Sequence, residues 1–85
     1  ATTVDWVQYD GQFRGGVILP GLKLFATGLS QITDCLPAVD LPSEPTPDPG
    51  MDTIACLQAG IALGYSAMIN GIIDQWEPGG PVIIT

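Results

Sequence analysis

Hydrophobic and polar positions alternate at the start of the chain. Over residues 2–9, Thr-Thr-Val-Asp-Trp-Val-Gln-Tyr, β-branched and aromatic side chains dominate, which predicts a strand. Val4 and Trp6 share one face of it; Asp5, Val7 and Tyr9 share the other. Asp10-Gly11 is a two-residue hairpin signal. Gln12 to Leu19 then reads as the return strand, and Gly15-Gly16 inside it marks a bulge or a close approach. After Pro20-Gly21 the period changes. Leu22, Phe25, Leu29, Ile32 and Leu36 step by three and four, the seam of an amphipathic helix that Pro37 ends.

A second helix follows. Ile54 to Ile73 carries no charge, and Asp52 or Thr53 is a fitting N-cap for it. Pro78, Gly79 and Gly80 end it. At about 100° per residue, Cys56, Gly60, Gly64, Ala67 and Gly71 fall on one narrow stripe. Leu57, Ile61, Tyr65, Met68 and Ile72 form a bulky face beside it. Glycine inside a helix costs roughly 0.5–1 kcal/mol relative to alanine, so the stripe predicts another backbone lying close along it. Gly60-x-x-x-Gly64 is also the spacing at which membrane helices touch, and the run is long enough to span a bilayer. No Lys or Arg flanks it, which favours a buried helix in a water-soluble domain.

Pro81-Val82-Ile83-Ile84-Thr85 is a short apolar strand, and the N-terminal hairpin is its natural partner. Residues 37–50 hold five prolines and read as an extended connector between the helices. The expected fold is α+β: one domain over 1–85, ordered β-β-α-α-β, a small two-layer sandwich. An antiparallel sheet is covered by an antiparallel helix pair.

The two cysteines sharpen this picture. Cys35 and Cys56 are too few for structural zinc without His and are not spaced as a redox C-x-x-C. They predict one disulfide joining the end of the first helix to the start of the second. Closing a loop of about 20 residues contributes on the order of 3 kcal/mol in the chain-entropy model. A disulfide implies an oxidising compartment, and the Ala-Thr-Thr start fits a matured exported protein.

Charge narrows the function. The net charge is -7, and Arg14 and Lys23 are the only cations. Nucleic-acid binding needs clustered Lys and Arg and is excluded as a partner class. Without His, with one Lys and with its Cys paired, the chain lacks most catalytic nucleophiles and bases. Asp74 and Glu77 beside Trp76 read as a solvated helix end rather than a catalytic pair. No phosphate-binding loop is present, because Gly15-Gly16 is short and leads into a strand. No enzyme activity, cofactor or metal is expected.

The β-β-α-α-β plan resembles the α/β sandwich of secreted fungal killer-toxin subunits, in architecture and without a shared motif. That resemblance implies a secreted toxin-like or membrane-active subunit working with a second protein chain. Two alternatives stand beside it. One is a coat or filament subunit that self-associates through Trp6, Trp76 and the apolar edge of Val82, Ile83 and Ile84. The other is a binder of a small apolar ligand.

Overall fold

The N-terminal alternation forms strand β1, Thr2–Val7, and its return β2, Phe13–Leu19. The computed structural model describes residues 1–41, 44, 46, 48–76 and 79–85. The turn is one residue longer than a two-residue hairpin. Gln8 N–H donates to Gln12 O and Gly11 N–H to Gln8 O, both at 2.8 Å, around Tyr9, Asp10 and Gly11. Gly11 takes φ +84°, and the Asp10 carboxylate accepts from Gln12 N–H at 2.9 Å. This is the three-residue loop with a left-handed glycine. The register shifts between Trp6 and Val7, leaving Arg14 as the extra residue beside Gly15, at φ +109°.

β3, Val82–Ile84, pairs antiparallel with β1, so the sheet order is β2-β1-β3. The small α+β fold with three antiparallel strands and two helices is as the pattern predicts. Helix α1 spans Leu22–Ile32, four residues shorter than its seam suggests. Thr33 leaves the helix in extended conformation, its N–H still reaching Leu29 O at 3.0 Å. Helix α2 spans Thr53–Trp76. Asp52 caps it, accepting from Ala55 N–H at 2.8 Å. The expected stop at Pro78, and the connector prolines Pro42, Pro45 and Pro47, lie outside the described residues.

The core lies between the inner sheet face and α2. Val4 is fully buried, with Thr2, Ile61 and Ile69 close behind. Thr2 Oγ1 and Tyr65 OH share a 2.5 Å hydrogen bond. Trp6 stacks on Trp76 with centroids 5.8 Å apart. Tyr65, from the bulky face of α2, therefore meets the sheet, while Leu57 and Ile61 line the gap toward α1. α1 docks through Phe25, whose ring meets Tyr65 edge-on at 5.8 Å.

The predicted disulfide is absent. Cys35 and Cys56 are both exposed free thiols. Because α1 stops at Ile32, Cys35 lies in the irregular segment beyond it rather than on a helix facing Cys56. The Cys56 thiol donates instead to Gly50 O at 3.3 Å.

Candidate functional site

Two sequence features that oppose strand formation meet on the outer face of the sheet. Asp and Gly are both depleted in strands. Asp5 nonetheless sits in the middle of the central strand, and its register partner on β2 is Gly16. A side chain at Gly16 would collide with the Asp5 carboxylate and with Val4 O. The carboxylate therefore lies across the space a β-carbon would fill. Thr3 occupies the same outward face two residues earlier, and its hydroxyl meets that of Thr85 at 2.5 Å. Ile18 and Ile83 flank these groups, and both are exposed.

The result is an open polar strip: a half-buried carboxylate laid over the Gly16 backbone, and a hydroxyl pair. Such a strip can accept hydrogen bonds from O–H donors. Among the described residues no three His, Cys, Asp or Glu side chains cluster as metal ligands. Sequence reasoning passed over Asp5 and Thr3. The available signal was a lone carboxylate in a β-branched and aromatic strand, facing a Gly-Gly pair.

The sequence-predicted site residues lie elsewhere. Trp6 and Trp76 stack on each other, and Arg14 Cζ sits 5.0 Å from the Trp6 centroid, so both indoles are engaged within the chain. Val82 is half-buried against the sheet, while Ile83 and Ile84 are exposed. The glycine stripe does not bring two backbones together. Nothing lies within 4 Å of a β-carbon built at Gly60 or Gly71, and one at Gly64 would meet only the Phe25 ring, at 3.8 Å. Ala67 is exposed. The aromatic ring of Phe25, with no cystine to pull the helices together, sets their spacing. They diverge into a groove of about 550 Å³ lined by Leu24, Phe25, Gly28, Leu29, Leu57 and Gly60, among others.

Residues 1–75 match the family model described as type III pantothenate kinase. The chain is 40% identical over 75 residues to the type III pantothenate kinase of Desulfosudis oleivorans, covering 88% of this chain and 29% of that protein. It is 41% identical over the same length to the type III pantothenate kinases of Cereibacter sphaeroides and Paracoccus denitrificans, with the same coverage. The chain thus spans about 29% of the length of the curated relatives it matches. These matches overturn the expectation of a secreted, non-enzymatic chain, whether toxin-like, membrane-active, a coat or filament subunit, or an apolar-ligand binder. The likeness to killer-toxin subunits was one of layer order alone, which unrelated chains share. The exported-protein reading rested on a disulfide that does not form.

Proposed function

We propose a role for this chain from one premise: it belongs to the type III pantothenate kinase family. It supplies a sheet-and-helix segment of an enzyme that transfers a phosphoryl group to pantothenate, a step in coenzyme A biosynthesis. The observation that carries this reading is the match running through residues 1–75, with both strands of the hairpin, α1 and all of α2 except Trp76.

Phosphoryl transfer asks a protein mainly for positioning and for groups that complement charge. The outer strip of the sheet offers positioning. The Asp5 carboxylate accepts a hydrogen bond from an O–H donor at the reacting centre, orienting it. α2 braces this strip from behind: Tyr65 holds Thr2 and Trp76 holds Trp6, residues on either side of Asp5 in the same strand. A magnesium ion arriving with nucleotide phosphates takes most of its ligands from them and from water. The Asp5 carboxylate would be one further ligand to it, since among the described residues no three metal-binding side chains cluster.

A chimera tests the reading. Residues 1–75 replace the matching 75 residues of the Desulfosudis oleivorans enzyme, and phosphorylated pantothenate is measured. Activity within about tenfold of the parent is expected, a barrier change near 1.4 kcal/mol. A folded chimera without product would overturn the proposal. In the active chimera, Asp5→Asn should lower kcat on the order of a hundredfold. Full activity there would remove Asp5 from the site and leave the family role standing.

A further inference from the structure

Strand β1 is held on its inner face at two points, and both holds come from α2. Near the start of the strand the Thr2 hydroxyl meets the Tyr65 hydroxyl at 2.5 Å. Near its end Trp6 stacks on Trp76. From Thr2 to Trp6 the strand advances about 13 Å, at about 3.3 Å per residue. From Tyr65 to Trp76 the helix rises about 16.5 Å, at about 1.5 Å per residue. The two spans nearly match and run in the same direction. Together they fix where β1 lies along α2.

The two holds differ in kind. Stacked rings tolerate an offset, because their attraction is spread over a face. A hydrogen bond is directional and weakens steeply as it bends. The hydroxyl pair is therefore the contact that sets the position of the strand closely. Thr2 is 4% exposed, so losing Tyr65 OH would leave its hydroxyl buried and unpaired. Tyr65 is itself placed by α1, since Phe25 meets its ring edge-on. Asp5 stands on the opposite face of β1, three residues beyond Thr2, and goes where the strand goes.

We infer that Tyr65 is a positioning residue for phosphoryl transfer: through Thr2 it sets the seat of β1 on α2, and so the place of the Asp5 carboxylate. The inference rests on the kinase role proposed above and on the part given there to Asp5.

The chimera carries both Thr2 and Tyr65 and serves as the parent. Tyr65→Phe keeps the ring beside Phe25 and removes only the hydroxyl. It should lower kcat about tenfold or more, since a misplacement of about 1 Å can cost a hundredfold. The KM for pantothenate should stay within about twofold, the pattern of an interaction realised in the transition state. Thr2→Val should match that loss, and Thr2→Ser, which restores a hydroxyl, should recover most of it. Tyr65→Phe with Thr2→Val leaves no buried hydroxyl unpaired and should regain the melting temperature of the parent while kcat stays low. This pair also carries the comparison where the single variant fails to fold. In an Asp5→Asn background, Tyr65→Phe should cost nothing further, because the two act as one unit.

Full kcat in Tyr65→Phe would overturn the inference. So would a double variant whose kcat returns with its melting temperature, because the bond would then be structural alone. An undiminished further loss beside Asp5→Asn would overturn it as well, since Tyr65 would act without Asp5. These three outcomes leave the family role standing. A folded, unsubstituted chimera without product would instead remove the kinase role, and this inference with it.

Discussion

Gly71 and Gly50 are the same residue type in opposite surroundings. Gly71 lies inside α2 with nothing within 4 Å of where a β-carbon would stand. Gly71→Ala removes unfolded-chain entropy without a clash and should stabilise the protein by about 0.5–1 kcal/mol. Gly50 packs its backbone on the first turn of α2, and a β-carbon there would collide with backbone atoms of Ala55 and Cys56. Gly50→Ala must move the helix start or the connector and should destabilise by about 1–3 kcal/mol. Thermal unfolding followed by circular dichroism separates the two: the melting temperature should rise for one and fall for the other. A fall for Gly71→Ala would mean that the stripe touches something in solution. The helical stripe marked Gly71 as unusual but could not say whether it was crowded, because crowding is a property of the neighbour.

Helix α2 shows how much an element owes to its own residues. Its uncharged run, its length and its start at Asp52 follow from local chemistry, and the cap is formed as the sequence implies. Asp52→Ala removes the acceptor for Ala55 N–H and should cost about 1 kcal/mol. A lower urea midpoint with an unchanged slope would show it; an unchanged midpoint would mean the cap contributes nothing. α1 was less legible. Its seam continues to Leu36 in sequence, yet the helix ends at Ile32, where β-branched Thr33 adopts extended backbone. The hairpin likewise kept its position and changed its loop. Asp10-Gly11 fits a two-residue turn locally, while the chain closes a three-residue loop between Gln8 and Gln12. The partner of β3 was legible from its apolarity and from the scarcity of other strands; its register of Val4 with Ile84 was not.

The whole molecule is more extended than a chain of its length needs to be. Its radius of gyration is 15.4 Å, against about 12 Å expected for a compact chain of this length. Much of this comes from α2, which at 24 residues is about 36 Å long and passes only part of its surface over the sheet. By length and composition α2 could cross a membrane, but Tyr65 and Trp76 bind it to the sheet instead. The cysteines bear on the molecule as a whole, because a disulfide would have set both its compartment and its stability. Titration of native protein with a chromogenic disulfide at low concentration should release two thiols per chain, the same number as in denaturant. A native count of zero would restore the cystine and shift the helices together.

The sequence by itself determined the order of elements, the faces of β1, the long apolar helix with its cap, and the absence of a basic surface. These depend on period, propensity and charge, which are local and additive. The tertiary structure decided which residues meet: Asp5 with Gly16, Phe25 between the helices, two thiols apart rather than bonded. Such meetings depend on register and on packing distance. A shift of one residue in a strand or the width of one aromatic ring changes them, and neither leaves a mark on composition.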